Sequence, residues 1–193
     1  MLSRDRDHRT KDRGAMTKAK KAYAILRDQI KNGQVTLLVE RNWIHHRKKC
    51  HYVEVIDHAT GIRKEFWFDN GFWHREEGPA VVDWHQTGEK SAESWHFKGD
   101  LHRLDGPAIV SWWDNGRPRV EIWFKHGIRH RADGPSYQSW DQAGTLTRTE
   151  WYIHGHAIGD QVVEWLVANA IPANPALWSD DHKAQFVARF GHH

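Results

Sequence analysis

The chain has 193 residues, of which 39% are apolar and 27% are charged, which fits one globular domain of ordinary size with appendages. No stretch approaches the roughly 18 consecutive apolar residues that a membrane helix needs, and the N-terminal MLSRDRDHRTKDR lacks the apolar core of a signal peptide. We therefore expect a cytoplasmic protein with no membrane partner. The single cysteine, Cys50, excludes an internal disulfide and a Cys-rich zinc site.

Positive charge is concentrated near the N-terminus. Residues 1–32 hold ten basic and four acidic residues, a net charge of +6, whereas the remaining residues carry −3. We expect residues 1–16 to form a basic, disordered arm. Closely spaced cations attract anionic partners such as nucleic acid, and the residues proposed for this role are Lys18, Lys20, Lys21 and Arg27.

An amphipathic helix is predicted over residues 17–33. The residues Tyr23, Leu26 and Ile30 recur at helical spacing and form its apolar stripe, and Gly33 is the expected C-cap. Because this apolar stripe is narrow, we expect the helix to pack on the body of the protein. The segment from Gln34 to Glu40 is predicted to be a strand at the first edge of a sheet.

A 28-residue pattern is repeated within residues 34–159, which we interpret as a β-hairpin repeat array. A Gly-Pro pair and two tryptophan positions recur in the same register as a His-Arg dipeptide. The dipeptide recurs at steps of 28 residues, as His74-Arg75, His102-Arg103 and His130-Arg131. These dipeptides open copies near 74–101, 102–129 and 130–157. Going back by the same step, His46-Arg47 opens a degenerate first copy near 46–73.

Each copy contains two segments of alternating residues with turn residues between them. In the copy that opens at His74, the segments run from Pro79 to Trp84 and from Lys90 to Phe97. The predicted fold class is therefore mainly β, an antiparallel meander of repeated β-hairpins of about 28 residues each. An N-terminal helix and C-terminal capping helices complete it, and most tryptophans are expected to serve packing.

Residues 160–193 are predicted to form a C-terminal helical cap. Asp160 is the expected N-cap of a helix that ends at Ala170-Ile171-Pro172. Ser179 or Asp180 is expected to cap a second helix, which Gly191 stops. We expect these helices to cover the last strand of the sheet, since an open edge invites aggregation.

The pattern W-[FYH]-x-x-G-x-x-H-R-x-x-G-P-A resembles the MORN-variant repeats of the HRxxGPA type. These are related to YwqK-like antitoxin proteins and occur in many bacterial, phage and giant-virus proteins. The resemblance covers about residues 42–155, with Ala80, Ala108 and Ser136 at the last pattern position. It implies an elongated β-hairpin array that binds a partner without catalysis, and it implies no particular ligand.

The His-Arg pairs have two interpretations. In the structural one, their side chains bind turn carbonyls and pair with the acidic residue two positions on, at Glu77, Asp105 and Asp133. In the binding one, histidine and arginine backed by tryptophan form a groove for a phosphate or a planar ligand. The residues of that hypothetical groove are His74, Arg75, His102, Arg103, His130, Arg131, Trp73 and Trp113.

No catalytic residue, metal site or cofactor is predicted. The chain has no GxSxG, no P-loop and no GxGxxG after a strand. The histidines at 45, 46 and 51 and at 154 and 156 have no HExxH motif or cysteine cluster beside them. We therefore expect a protein that is not an enzyme.

The leading functional hypothesis is a protein-binding inhibitor or adaptor. Tryptophan and arginine are enriched at interface hot spots, and the resemblance to phage repeats points to a bacterial defence or toxin system as the target. One alternative is nucleic-acid binding through the basic arm and an Arg/Trp surface. Another is sequestration of a small nucleotide among the His, Arg and Trp side chains.

Overall fold

The computed structural model describes residues 23–45 and 48–191, and these are mainly β. Ten strands lie in antiparallel meander order, with one helix before them and two helices after them, which confirms the predicted fold class. The chain forms two compact units, the first ending at Asp100 and the second beginning at Leu101. None of the described helices is long and apolar enough to cross a membrane.

The first unit contains one helix and a sheet whose strands follow chain order. Its strands pair in the order β1, β2, β3, β5 and β6, and β4 pairs with β3. The elements are α1 (23–31), β1 (Val35–His45), β2 (Lys48–Asp57), β3 (Arg63–Asp69), β4 (Phe72–Trp73), β5 (Val81–Trp84), β6 (Lys90–Ser94), β7 (His96–Phe97) and, at the boundary, β8 (Asp100–Leu101).

The core of the first unit lies between α1 and the first three strands. It consists of Leu26, Val35, Val53, Val55 and Phe68, with Tyr23 and Ile30 of the helix packed against it. The predicted packing of the amphipathic stripe is therefore confirmed for the described part of the helix. The first strand is longer than predicted, because its ladder with β2 continues to the pair His45–Lys48. The predicted arm, residues 1–16, and residues 17–22 lie outside the described residues.

The second unit contains the last four of the ten strands, two small hairpins and the C-terminal helices. The sheet order is β9, β10, β13 and β14, and the small hairpins pair β11 with β12 and β15 with β16. The elements are β9 (Ile109–Trp112), β10 (Pro118–Ile122), β11 (Phe124–Lys125), β12 (Ile128–Arg129), β13 (Tyr137–Trp140), β14 (Leu146–Glu150), β15 (Tyr152–Ile153), β16 (His156–Ala157), α2 (Gly159–Ala168), the short 3-10 helix η1 (Pro175–Leu177) and α3 (Asp180–Phe190).

The C-terminal helices enclose an aromatic core. Trp151, Trp165 and Trp178 surround Phe186, with ring centroids 5.1, 5.8 and 5.5 Å from its ring. Ser179 is the N-cap of α3, as predicted, and its hydroxyl accepts a hydrogen bond from His182 N–H. The prediction of Asp160 as the cap of α2 is wrong. The N-cap is Ile158, which has no side-chain cap but is buried in this core.

Each complete copy contains two hairpins, whereas the sequence analysis assigned it one. The predicted strand from Lys90 to Phe97 is interrupted at Trp95, which lies in neither β6 nor β7. In the next copy, Trp123 N–H donates to Ser136 O at 2.8 Å, while Phe124 pairs with Arg129 in the small hairpin. The backbone therefore changes hydrogen-bonding partner at the tryptophan, leaving the sheet for a short second hairpin.

We expect Phe186→Ala to reduce the free energy of unfolding by about 3–5 kcal/mol, because it empties a fully buried site among three tryptophans. Urea denaturation followed by tryptophan fluorescence measures this loss. Val163→Ala in α2 is the control, since Val163 is exposed, and it should change stability by less than about 0.5 kcal/mol. Equal losses for the two variants would contradict the proposed core.

Candidate functional site

In the three complete copies, the small hairpin turns through a non-glycine residue with positive φ followed by a glycine with positive φ. The pairs are Lys98-Gly99, His126-Gly127 and His154-Gly155. Two consecutive positive φ angles are the mark of a type I′ turn, which suits the twist of a two-residue hairpin. This turn leaves backbone N–H groups that need acceptors.

The histidine that opens each copy supplies one of these acceptors. The Nδ1 atoms of His74, His102 and His130 accept hydrogen bonds from the backbone N–H of Lys98, His126 and His154, at 3.3, 3.1 and 3.1 Å. We call this the histidine–turn contact, and it always joins residues 24 apart. Since the donor is a backbone N–H, Nδ1 carries no proton, which places the proton of the neutral ring on Nε2.

The glycine of each turn is bound as well. Gly99, Gly127 and Gly155 donate their N–H groups to the carbonyl oxygens of Trp73, Leu101 and Arg129, each at 2.9 Å. The acceptor is in every case the residue just before the histidine. Both central N–H groups of the turn therefore have acceptors, which are the Nδ1 atom of the histidine and the carbonyl oxygen of the residue before it.

The arginine after each histidine fills a space left by the glycine of Gly-Pro. A Cβ atom at Gly78, Gly106 or Gly134 would lie 2.9, 2.8 or 3.0 Å from the Cζ atom of the arginine three residues earlier. Arg131 Nε donates to Asp133 Oδ1 at 2.8 Å and its Nη1 to Pro135 O at 3.3 Å. Arg103 makes the same two contacts, with Asp105 and Pro107.

An aromatic ring completes the arginine environment. The Cζ atoms of Arg75 and Arg131 lie 4.1 and 4.0 Å from the ring centroids of Trp67 and Trp123. Trp67 stands one repeat period before Trp95, so the degenerate first copy supplies the ring for Arg75. Arg103 and Arg131 therefore bind a proline carbonyl and the acidic residue two positions on, as the structural interpretation predicted. The contact described for the histidines is instead with a backbone N–H of the turn.

The other predicted binding residues are placed separately. The Trp73 ring lies 5.1 Å from the His96 ring, and Trp113 donates its Nε1–H to Trp140 O at 3.0 Å with Arg119 over its ring. Arg27 is exposed on α1. Lys18, Lys20 and Lys21 of the predicted basic arm, and the pair His46-Arg47, lie outside the described residues.

A cluster of exposed and half-buried side chains in the second unit was not predicted from the sequence. Glu150 forms ion pairs with both Arg129 and Arg148. The Cζ atom of Arg129 lies 4.7 Å from the Tyr152 ring centroid, and that of Arg148 lies 5.6 Å from the Tyr137 ring centroid. We call these five residues the Arg–Tyr cluster.

A signal for this cluster exists in the repeat itself. Tyr137, Arg148 and Glu150 occupy positions that hold Ile109, Val120 and Ile122 in the copy before and Val81, Ala92 and Ser94 in the copy before that. The pairing is equivalent, since Tyr137 faces Glu150 as Ile109 faces Ile122. Among the three complete copies, only the last therefore carries large polar groups at these places, and a comparison of these copies with one another identifies them.

We expect Gly134→Ala to lower the free energy of unfolding by about 1 kcal/mol, because the new Cβ displaces the Arg131 guanidinium from its bonds. Chemical denaturation of the variant, of Arg131→Ala and of the double variant measures the coupling. The loss should disappear in the Arg131→Ala background. Gly159→Ala, where a Cβ meets nothing within 4 Å, should not be destabilising.

Acid is expected to weaken the histidine–turn contact. Burial, helped by the nearby His154 and Lys125, lowers the pKa of His130 below its usual 6.5. The unfolded chain therefore binds a proton below about pH 6.5 that the folded chain excludes, so stability present above that pH is lost as the pH falls toward the folded pKa. His130→Asn retains an acceptor and does not titrate. Its unfolding free energy should fall less than that of the unmodified chain between about pH 7.5 and about pH 5, and equal falls would contradict the assignment.

Comparison with known proteins gave no match. No protein-family model matches the chain, and neither does any curated protein or any solved structure. The resemblance to MORN-variant repeats therefore stays a prediction from the quoted residues.

Proposed function

We propose that this chain is a non-catalytic protein-binding repeat module that contacts its partner through the Arg–Tyr cluster of the second unit. The observation that supports this most is the departure of the last copy from the other two. At three paired positions it replaces aliphatic or small residues by Tyr137, Arg148 and Glu150. Packing of the repeat does not require these side chains, since the equivalent strands form with others.

The chemistry of the cluster suits a protein interface. Tyrosine and arginine are among the residue types that dominate interface hot spots. Glu150 pairs with two guanidinium groups that lie over two tyrosine rings, and these contacts restrict the side-chain rotamers before a partner binds. Side chains ordered before binding lose less conformational entropy in the complex. Arg148 is 66% exposed and is the most accessible member of the three ion-paired side chains.

Charge favours a protein over a nucleic acid as the partner of this surface. Residues 101–193 contain nine basic and ten acidic residues, a net charge of −1, and Glu150 offsets one of the two cluster arginines. Nucleic-acid binding depends on several unpaired cations that neutralise phosphates. The histidine and arginine side chains of the His-Arg pairs form hydrogen bonds within the repeats. This argues against a nucleotide bound among them.

The narrower role in this proposal rests on the repeat resemblance alone. It is that of an inhibitor or adaptor of phage or mobile-element type, acting in the cytoplasm on a bacterial defence or toxin system. The cluster supports the binding of a protein.

The test replaces the cluster by the residues of the preceding copy, in the variant Tyr137→Ile, Arg148→Val, Glu150→Ile. Immobilised chain is incubated with bacterial lysate treated with nuclease, and bound proteins are quantified by mass spectrometry. We expect the unmodified chain to capture a stoichiometric protein and the triple variant to lose at least about 90% of it, since loss of two hot-spot residues costs about 2 kcal/mol or more.

Arg119→Ala is the matched control, because Arg119 also lies over an aromatic ring, that of Trp113, but outside the cluster. It should retain the captured protein. Absence of any stoichiometric protein, or equal capture by the triple variant, would overturn the proposal. Capture that occurs only without nuclease would instead indicate nucleic acid.

A further inference from the structure

The strand β14 ends its sheet. Among the described strands, only β13 pairs with it. In an antiparallel edge strand, about half of the N–H and C=O groups point away from the neighbour and are available to another strand. The sequence of β14, Leu-Thr-Arg-Thr-Glu, contains no proline that would block such pairing, and threonine favours extended backbone.

A groove of about 330 Å³ runs beside this edge. One wall is formed by residues 145–149, and the other by Ala173 and Asn174 of the segment between α2 and η1. That second wall is fixed in place, since Trp178 Nε1–H donates to Pro172 O at 2.7 Å and Asn174 Oδ1 accepts from Ala176 N–H at 3.0 Å. The groove is thus built by anchored backbone on both sides.

Charge in the groove has one sign. Arg148 is the single charged residue among those lining it, beside three threonines, a leucine, an alanine and an asparagine. Its ion-pair partner, Glu150, is shared with Arg129, so two guanidinium groups face one carboxylate. The excess positive charge complements a carboxylate on an incoming strand.

We infer that the open edge of β14 binds an extended peptide segment of the partner by strand addition, with an acidic residue of that segment opposite Arg148. This inference rests on the proposed protein-binding function and names the form in which the partner is recognised. A second copy of the chain fits less well. Symmetric pairing of two β14 strands about their centre would place Arg148 opposite Arg148, and like charges directly opposite each other are destabilising.

The experiment uses the full chain and a synthetic peptide, acetyl-Thr-Val-Thr-Glu-Thr-Val-Thr-amide. Binding is followed by fluorescence anisotropy of a labelled peptide and by amide chemical shifts of the protein. We expect shifts at the amides of residues 145–149, and about fivefold weaker binding when the peptide glutamate is replaced by lysine. Arg148→Glu should reverse this preference, and Arg119→Glu, outside the groove, should leave it unchanged.

Backbone pairing is tested separately with the unmodified protein. A peptide methylated at every backbone nitrogen cannot donate to a strand edge from either side, and it should not bind. Equal binding of the methylated peptide, or no preference between the glutamate and lysine peptides, would overturn the inference. Capture of a lysate protein that depends on the Arg–Tyr cluster, together with no shifts at residues 145–149, would leave protein binding in place and overturn strand addition alone.

Discussion

The histidine–turn contact is the interaction on which the repeat depends. A type I′ turn connects the two strands of the small hairpin in each complete copy. The backbone N–H of the first central residue of this turn needs a hydrogen-bond acceptor. The Nδ1 atom of the histidine that opens the copy, 24 residues earlier in the chain, accepts this hydrogen bond. A two-stranded hairpin alone is marginally stable in water. The histidine–turn contact attaches the small hairpin to the segment that precedes the larger hairpin of the same copy. The two hairpins therefore stabilise each other.

The arginine that follows depends on an absent side chain. The glycine of Gly-Pro leaves room for the guanidinium. Arg103 and Arg131 bind an aspartate and a proline carbonyl, and the guanidinium groups of Arg75 and Arg131 lie over an indole. The His, Arg, Gly and Pro shared by the three complete copies, with an acidic residue two positions after the arginine, therefore describe one local arrangement around a turn. Similar residues in other proteins often bind phosphates. Here the same donors are directed toward the protein's own backbone.

The sequence was most informative where position in the repeat determines contact. The 28-residue period and the turn glycines were sufficient to predict an antiparallel meander, and Ser179 was recognisable as a cap because its hydroxyl acts locally. The interruption at Trp95 was not predictable from alternation, since the residue pattern continues while the backbone changes partner. Asp160 is not the cap of α2, because the helix begins one residue earlier, at Gly159, after the buried Ile158. Tyr137, Arg148 and Glu150 were not predictable from the features that all copies share, because they differ from the equivalent residues of the two preceding copies.

The carbonyl groups that receive the turn glycines have an evolutionary consequence. They belong to Trp73, Leu101 and Arg129, three residues with nothing in common beyond a peptide bond. The hydrogen bond to the turn glycine thus does not depend on the side chain of the residue just before the histidine. The histidine and the turn N–H that it binds lie within a single copy. A duplicated or deleted segment of 28 residues would keep every such backbone bond matched, so these bonds permit the array to lengthen by duplication of a copy and to shorten by its deletion.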